Sequence, residues 1–458
     1  MRLRPGQEIE IEVDRAAAEG RGVGRLDELV VFVSRALPGE RVRAAVTRSK
    51  RNFAEARAIE VLRPSADRVA ARCSHLGVCG GCSWQELAYE AQLDAKTSVV
   101  REALERLGGF RGVEVPRALA SPQHFFYRNK MEFSFFAGRD GSVVLGLHTP
   151  GTFDQVFDLD ACYLMSEQSN RIVARVRELA AASGAAAYHS RRHEGFWRYL
   201  VLREAKTTGQ FMINLVTNDG PLPGGRAIVD ALVEEFPGVT SIVRNVTTRR
   251  ATIAVGEREE LLHGGAEIEE QIGGLRFRIA ANTFFQTNTQ QAERLFELAV
   301  EWAGLGADDE VLDLYAGTGA ISLFLARRAR RVTGIELVAE SVAMAEKNAA
   351  LNGIHNCRFV QGEVRDFFRT RPGEAAVARV AVVDPPRAGL HEDVVRALRE
   401  LHPPRVVYVS CNPATLARDA ALLAQDGRYT LQRVQPVDMF PHTYHVECVA
   451  LFERTTPA

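Results

Sequence analysis

The last third of the chain constrains the fold most, because short apolar runs alternate there with helical stretches. Residues 311–314, 332–335, 380–383 and 406–409 are runs of this kind, and each predicts a buried strand. The alternation implies a doubly wound sheet of parallel strands, an α/β fold in which ligands collect at the carboxyl ends of the strands. Chemically active side chains are therefore expected directly after each run.

The first two runs predict a nucleotide-binding pocket. Gly317 and Gly319 follow the first run and let the backbone approach a ligand closely. The second run is followed by Glu336, which can accept hydrogen bonds from both hydroxyls of a ribose. Nicotinamide dehydrogenases share this pattern, but Ser322 stands where their motif has a third glycine. The pattern therefore favours a ligand without a pyrophosphate, such as S-adenosylmethionine.

The residues after the last two runs suit catalysis. Asp384 is followed by two prolines, which stiffen the turn and hold the carboxylate over a planar group. Cys411 is either a small apolar residue that closes a core strand or a nucleophile, and its neighbours favour the nucleophile. Glu447 lies inside an otherwise apolar strand, where an ion pair or a catalytic base is expected. Beside Cys411 we favour the base.

The cysteines predict a metal site. Three of the seven lie within ten residues of one another: Cys73, Cys79 and Cys82. Glycines between them let the chain turn so that the sulfurs converge, and clustered thiols are typical of a metal centre. Zinc and an iron-sulfur cluster both take four thiolates, so both are candidates. Cys162 is the best candidate for the fourth ligand, because Cys357 and Cys448 lie in predicted core elements.

The N-terminal region predicts a small all-β barrel. Residues 6–62 alternate short β-rich runs with glycine turns. The loop at 47–53 carries basic residues beside Phe53, as a loop that contacts phosphates and stacks on a base would. A solvated hairpin tip has the same composition. Residues 84–107 then predict a helix that ends at two glycines.

Residues 116–275 predict a strand-rich region with two helices. The segments 127–133 and 197–203 place arginines beside aromatic residues, and a third arginine-rich segment lies at 244–250. This mixture suits single-stranded nucleic acid, whose bases stack while its phosphates pair with cations. Taken singly, each segment is more typical of an amphipathic strand with a solvated basic face.

The composition indicates a multidomain globular protein. At 458 residues the chain exceeds the roughly 250 to 300 residues of a single core. No apolar run approaches the ~18 residues of a membrane span, and residues 1–5 begin no apolar signal core, so a cytoplasmic protein without membrane contact is expected. The net charge is −1, so a polyanion must be bound by local patches. We further expect a monomer.

Six motifs together resemble the RNA uracil-5 methyltransferases. They are the cysteine cluster at 73–82, Phe284-Phe285-Gln286-Thr287-Asn288, the loop from Asp313 to Gly319, Asp384-Pro385-Pro386-Arg387, Ser410-Cys411-Asn412-Pro413 and His445-Val446-Glu447. Their order and approximate spacing match over nearly the whole chain. Residues 6–62 resemble the TRAM barrel that precedes the enzyme in the ribosomal RNA branch, whereas the tRNA branch in bacteria typically lacks both barrel and cluster.

The resemblance implies a set of functional residues. It implies a [4Fe-4S] cluster on Cys73, Cys79, Cys82 and Cys162. It implies contacts to S-adenosylmethionine from Gln286, Tyr315, Glu336 and Asp384, to which we add the loop glycines Gly317 and Gly319. It implies Cys411 as the nucleophile and Glu447 as the proton acceptor. Relatives often carry asparagine after the second loop glycine, but Ala320 stands here and is left out.

The implied reaction is methylation of carbon 5 of a uridine in 23S rRNA, through a covalent adduct between the cysteine and carbon 6. A tRNA uracil-5 methyltransferase is the alternative. A non-catalytic, metal-dependent RNA-binding protein that uses the barrel and the cysteines is the alternative of another class. An amino-group methyltransferase is disfavoured, because Arg387 replaces the aromatic residue of its loop motif and such an enzyme needs no Cys411.

Three domains are therefore predicted. Residues 1–64 form a TRAM-like, OB-like β-barrel that binds RNA, and residues 65–275 form an α+β central domain with the iron-sulfur cluster and an RNA-binding surface. Residues 276–458 form a Rossmann-like, S-adenosylmethionine-dependent methyltransferase domain. The helix at 84–107 is expected to pack on that catalytic domain.

Overall fold

A computed structural model of the chain describes residues 3–138, 141–152, 155–250 and 253–455. Its first strands are β1 Glu8–Glu12, β2 Arg15–Ala16, β3 Gly22–Leu26, β4 Leu29–Ser34, β5 Arg41–Ser49 and β6 Phe53–Arg63. They form one sheet in the order β1-β5-β6-β4-β3-β2. The sheet curls on itself, because a Cβ atom on Gly24 of β3 would lie 2.0 Å from the carbonyl oxygen of Glu12 in β1. The predicted all-β N-terminal domain is confirmed.

The tip between β5 and β6 differs from the prediction in one respect. Phe53 is only partly exposed, and its ring packs edge-to-face on Phe32 with 5.9 Å between centroids. Arg48, Lys50 and Arg51 beside it are exposed. The tip therefore offers cations to phosphates, whereas its aromatic ring packs on a neighbouring strand.

The first long helix, α1 (Tyr89–Arg106), begins later than the predicted residue 84. Residues 84–88 make main-chain hydrogen bonds to other segments, including one from Trp84 N to His442 O at 3.0 Å, and so cannot join the helix. Leu104 of α1 lies in a core that the catalytic sheet forms on one of its faces. The helix thus packs on the catalytic domain.

The central region is a seven-stranded mixed sheet with two helices packed on it. Its strands are β7 Lys130–Ala137, β8 Val143–His148, β9 Val156–Asp158, β10 Trp197–Glu204, β11 Phe211–Thr217, β12 Val239–Val246 and β13 Arg258–Gly264. Its helices are α2 Glu167–Ala182 and α3 Arg226–Glu235. The strand order is β13-β12-β11-β10-β7-β8-β9. Large apolar side chains from the sheet and both helices share one core.

A hairpin joins this region to the catalytic domain. It consists of β14 (Glu267–Ile272) and β15 (Leu275–Ala280), paired antiparallel. Ile268 and Phe277 of the hairpin lie in the same core as the first helix of the catalytic domain, α4 (Thr289–Ala303). The predicted boundary between residues 275 and 276 therefore cuts a hairpin that packs with the catalytic sheet.

The catalytic domain is the predicted doubly wound α/β fold. Its strands are β16 Glu310–Leu314, β17 Arg331–Glu336, β18 Cys357–Gln361, β19 Val380–Val383, β20 Arg405–Ser410, β21 Tyr429–Val437 and β22 Glu447–Arg454. Its further helices are α5 Ala320–Ala326, α6 Ala339–Leu351, α7 Val364–Thr370, α8 Pro372–Ala376, α9 Glu392–Leu401 and α10 Pro413–Ala424. The strand order is β18-β17-β16-β19-β20-β22-β21. The chain order reverses between β16 and β19, which opens a crevice at the carboxyl ends of these strands.

The described helices of the protein are too short or too polar for a lipid bilayer. Among the described residues, no helix is both long and apolar enough to span one.

Candidate active site and cysteine-lined cavity

A cleft of about 1060 Å³ lies in this crevice. It is lined by most of the residues predicted to bind the methyl donor or to react: Gln286, Tyr315, Gly317, Glu336, Asp384, Cys411 and Glu447. Most of these residues directly follow or end a catalytic strand. The fold therefore gathers side chains from distant parts of the sequence in one place.

Cys411 and Glu447 are neighbours because of strand register. Cys411 directly follows β20, and Glu447 is the first residue of β22. The two strands run antiparallel with Ser410 opposite Cys448. One step along each strand from that pair, Cys411 stands opposite Glu447. A thiol and a buried carboxyl group thus face each other in the cleft.

Burial shifts these groups toward their neutral forms. Burial and the nearby Asp384 raise the pKa of Glu447 to about 8, and Arg387 acts in the opposite direction. Burial, Glu447 and Asp384 raise the pKa of Cys411 to about 11, again opposed by Arg387. Burial also raises the pKa of Asp384 to about 7. A carboxyl group with a pKa near 8 is well matched to accept a proton from a substrate near neutral pH.

Helix α10 offsets part of the cost of a thiolate at Cys411. Pro413 begins this helix, and the side chain of Asn412 caps it by accepting a hydrogen bond from Ala414 N at 3.1 Å. The partial positive charge of a helix N-terminus stabilises a nearby thiolate. Asn412 also donates from Nδ2 to the carbonyl oxygen of Arg387 at 3.1 Å, which ties the cysteine loop to the turn that carries Asp384.

Arg387 and His445 form a pair in the cleft wall that the sequence analysis gave no role. An Arg387 guanidinium nitrogen lies 3.1 Å from His445 Nδ1. Because arginine only donates, Nδ1 accepts and the imidazole is neutral with its proton on Nε2. Burial and Arg387 lower the pKa of His445 to about 4. The aromatic-rich stretch at 440–445 was the signal that could have identified this wall.

The donor end of the cleft is organised around Glu336. Its Oε2 accepts a hydrogen bond from Gly317 N at 2.9 Å, and its Oε1 accepts one from Val338 N at 2.8 Å. Each oxygen keeps a second lone pair that can accept from a ribose hydroxyl. Tyr315 has a φ of 68°, which is uncommon for a residue other than glycine and turns the chain sharply after β16.

Gly319 does not line the cleft among the described residues. It has a φ of 82°, and a Cβ atom there would lie 3.0 Å from atoms of both Ala345 and Phe359. Glycine is therefore required by the close packing of α5 against α6 and β18. The structure gives Gly319 a packing role and leaves Gly317 as the glycine of the cleft wall.

Asp313 is a cleft residue that the sequence analysis did not assign. It is fully buried, and the hydroxyl of Ser322 donates to its Oδ2. Its Oδ1 has no hydrogen-bond partner in the described part of the chain. Burial raises the pKa of Asp313 to about 7. An acid inside an apolar run, the same signal that singled out Glu447, could have found it.

Residues 284–288 connect the cleft to the central domain. Asn129 donates from Nδ2 to Gln286 O at 2.8 Å, and its main-chain N donates to Thr287 O at 2.8 Å. Phe284 at the cleft is 64% exposed. Gln286 therefore reaches the cleft from a segment that the central domain holds in place.

A second cavity, of about 410 Å³, is lined by all four predicted ligand cysteines: Cys73, Cys79, Cys82 and Cys162. All four are free thiols. Gly81 N donates to Cys79 Sγ at 3.2 Å, and Gln85 Nε2 donates to Cys82 Sγ at 3.2 Å. Hydrogen bonds of this kind stabilise negative charge on sulfur.

The cavity thiols oppose one another's ionisation. Burial raises the pKa of Cys82 to about 12, with further contributions from the other three thiols. Burial likewise raises the pKa values of Cys79 and Cys162. In the part of the chain that the structure describes, no group of three or more His, Cys, Asp or Glu side chains is arranged to hold a metal ion. The metal or cluster at these cysteines stays a prediction.

Two segments of the chain match known families. Residues 259–455 match the family described as tRNA (Uracil-5-)-methyltransferase, and residues 2–59 match the TRAM domain. The first match contains the cleft strands, and the second coincides with the N-terminal barrel.

Whole-chain similarities extend over nearly the full length. The chain is 41% identical to an uncharacterised RNA methyltransferase of Chlorobaculum tepidum, over 99% of this chain and 98% of the relative. It is 38% identical to one of Bacillus cereus, over 97% and 96%. A solved structure, the Pyrococcus abyssi tRNA (uracil-54, C5)-methyltransferase in complex with S-adenosyl-L-homocysteine, matches with a TM-score of 0.77 and 31% identity, over 96% of this chain and 99% of that one.

Proposed function

Because the chain belongs to the RNA uracil-5 methyltransferase family, we propose that it methylates carbon 5 of a uridine in 23S rRNA through a covalent adduct on Cys411. Family membership makes the protein an enzyme that uses S-adenosylmethionine and acts on RNA. The observation that carries the covalent mechanism is the register that sets Cys411 opposite Glu447 in the cleft.

The nucleophile is needed because carbon 5 of uracil is too electron-poor to take a methyl group directly. The thiolate of Cys411 adds to carbon 6, and the electron pair of the double bond moves to give an enolate. Carbon 5 then attacks the methyl group that the sulfonium of S-adenosylmethionine supplies, and the thioether S-adenosylhomocysteine leaves. The ring is now saturated and methylated, with the enzyme attached at carbon 6.

Glu447 completes the reaction. It removes the proton from carbon 5, the double bond re-forms, and the bond between carbon 6 and the sulfur of Cys411 breaks. The products are 5-methyluridine, free thiolate and a proton on Glu447. Its raised pKa supports this role, because a carboxylate in that environment binds the proton firmly. Asp384 and its proline turn hold the uracil edge beside Cys411.

The donor pocket fits S-adenosylmethionine by the chemistry of its groups. Glu336 offers paired oxygens to the ribose, and the buried Oδ1 of Asp313 lacks a partner among the described residues, as expected of an acceptor for the amino acid's ammonium group. Gln286 and Tyr315 line the same space. The uracil must leave its stack to enter the cleft, which favours looped or single-stranded RNA.

We propose that Cys73, Cys79, Cys82 and Cys162 hold a [4Fe-4S] cluster, because the cavity that they line supplies the sulfur donors of such a cluster, although the thiols are not arranged around a metal ion. A four-iron cluster takes one thiolate on each iron, so its ligands ring a cavity. Four free thiols around one cavity, with hydrogen bonds to two of the sulfurs, match that donor set. No electron is transferred in the proposed reaction, so a structural role that fixes the segment at 73–82 is expected.

Mechanism-based trapping tests the reaction. RNA that carries 5-fluorouridine cannot lose fluorine from carbon 5, so the methylated adduct should persist and migrate with the protein on a denaturing gel. Cys411→Ala should give no adduct, and Glu447→Gln should accumulate methylated adduct even on ordinary RNA. A wild-type enzyme that methylates RNA without any adduct would contradict the covalent mechanism.

The choice of RNA needs a separate test. The N-terminal barrel and the four-cysteine cavity support the ribosomal RNA branch, which is the basis for proposing 23S rRNA. The likeness to the Pyrococcus abyssi tRNA enzyme over nearly the whole chain favours tRNA as the second candidate. Mapping 5-methyluridine in 23S rRNA and tRNA from a strain that lacks the protein decides between them, since the modification should vanish from one RNA only.

A further inference from the structure

Helix α1 turns a polar face toward the catalytic domain. Tyr89, Gln92 and Lys96 follow one another at steps of three and four residues, so they lie on one side of the helix. Gln92 and Lys96 are fully buried, and Tyr89 is partly buried. A buried helix face is ordinarily apolar. The contacts that this polar face makes therefore indicate its role.

One partner is Asp438, at the start of the loop 438–446 that joins β21 to β22. Lys96 forms an ion pair with Asp438, and both side chains are fully buried. Lys96 Nζ also donates to Phe440 O at 3.0 Å, and the hydroxyl of Tyr89 donates to Asp438 Oδ2 at 2.7 Å. The first three residues of the loop are thus fixed to the helix by a charge and by hydrogen bonds.

A second partner is His442, at the middle of the loop, and Gln92 also donates to the carbonyl oxygens of Trp84 and Leu87. Gln92 accepts a hydrogen bond from His442 N at 2.8 Å, and its amide nitrogen lies 3.2 Å from His442 Nδ1. His442 has a φ of 66°, in the left-handed region that costs free energy outside glycine. Its carbonyl oxygen accepts from Ser83 N and Trp84 N, the residues that follow the cysteine segment. The strained turn is held from two sides.

The loop leads directly into the active site. Phe440, Thr443 and His445 line the cleft, and β22 begins with Glu447. Within the described chain, no residue of α1 lines the cleft. The loop is therefore the part of the cleft wall through which the polar face of α1 can act on the reaction.

We infer that the polar face of α1, through the Lys96–Asp438 and Gln92–His442 contacts, positions the loop so that Glu447 meets the proton on carbon 5. The inference rests on the proposed function, because it assigns the face to the proton-removal step of that reaction. Lys96 and Gln92 are positioning residues, since neither touches the reacting atoms. Burying an ion pair costs desolvation free energy, and apolar residues of similar volume would attach the helix equally well. Packing alone therefore does not explain the Lys96–Asp438 pair.

The expected signature is a selective slowing of the last chemical step. Lys96→Met and Gln92→Leu should lower kcat by about 10- to 100-fold, as small displacements of a reacting group do. The methylated covalent adduct should build up during turnover on ordinary RNA, because methylation still occurs while proton removal lags. The KM for RNA should fall in proportion to kcat and kcat/KM should stay within about twofold, because the slowed step follows the irreversible methyl transfer.

Two further variants separate positioning from stability. Leu104→Ala removes a buried apolar side chain two turns beyond Lys96 on the same buried side of the helix, away from the loop, and should lower Tm without accumulating adduct. Lys96→Met combined with Asp438→Asn removes both charges and should recover much of the lost Tm while kcat stays low. Recovery of kcat together with Tm, or single variants that lower Tm with no adduct on ordinary RNA, would overturn the inference. Absence of a wild-type adduct on 5-fluorouridine RNA would overturn the proposed function as well, so the two failures are distinct.

Discussion

The catalytic cleft and the cysteine-lined cavity share a wall but are built differently. Gly80, Gly81, Arg128 and Thr287 line both. The cleft takes its residues from strand ends whose register fixes their spacing, as with Cys411 opposite Glu447. The cavity takes three sulfurs from an irregular segment and the fourth from a turn before α2. The cleft is therefore shaped by the sheet before any ligand binds, whereas the proposed cluster would itself order part of the cavity.

The electrostatics follow the same division. Burial raises pKa values in both regions, but the cleft contains counter-charges of its own, in Arg387 and the N-terminus of α10. In the cavity, burial and the neighbouring thiols raise the pKa values of Cys79, Cys82 and Cys162, and Arg128 opposes this effect at Cys162. A bound cation would therefore lower the pKa values of the cavity thiols more than those of the acidic groups in the cleft.

The largest expected effect is that of removing the nucleophile from the cleft. Cys411→Ala should lower methylation by about a thousandfold or more, as loss of a covalent catalyst does, and should abolish the adduct with 5-fluorouridine RNA. Incorporation of a labelled methyl group and a denaturing gel measure both. Cys357→Ala is the matched control, because Cys357 is a partly buried thiol of the same sheet outside the cleft. Equal loss in the control would mean that Cys411 acts through packing.

The next effect sharpens the account of burial in the cleft. The pKa of Glu447 is raised to about 8 in the folded protein. The folded state therefore binds this proton more tightly than the unfolded state does, and the resulting stabilisation is present at low pH and is lost as the pH rises toward 8. Glu447→Gln stays neutral, so its stability relative to wild type should increase by about 2 kcal/mol between pH 6 and pH 8. Urea unfolding at the two pH values measures the difference. A constant difference would mean that Glu447 is not desolvated in the folded protein.

The contrast also explains which parts the sequence revealed. Residues that follow apolar runs, such as Asp384 and Cys411, could be placed because parallel strands end at one edge. Asp313 lies inside such a run and was missed as a site residue, although its charge was visible. The aromatic-rich stretch at 440–445 could have indicated a wall of the cleft, but the pairing of His445 with Arg387 depends on how the loop 438–446 folds back over the cleft. The polar face of α1 was hidden for the same reason, since its partners are some 340 residues away in sequence.

A smaller effect tests the cavity through a residue beside the sulfurs. Gln85 donates to Cys82 Sγ and accepts from Cys73 N at 3.1 Å, so it orients two predicted ligands without being one. Gln85→Leu should weaken retention of the proposed cluster by about 10- to 100-fold, as loss of such an orienting hydrogen bond does. Iron and zinc analysis of the purified protein after dialysis against a chelator measures retention and identifies the metal. Unchanged retention would show that the cysteine loop holds its shape without Gln85.

The smallest expected effect tests whether residues outside the cleft and the cavity contribute to RNA binding. At the barrel tip, Lys50 and Arg51 are exposed and form no ion pair within the described chain, whereas Arg41 at the other end of β5 pairs with Glu10 at 2.8 Å. Replacing both tip residues with alanine should weaken RNA binding by a few-fold and reduce the slope of log Kd against log salt by about 1.5, as loss of two phosphate contacts predicts. Arg41→Ala should leave the slope unchanged, because its charge is already neutralised. Equal slopes in both variants would show that Lys50 and Arg51 contact no phosphates and that the barrel tip is not part of the RNA-binding surface.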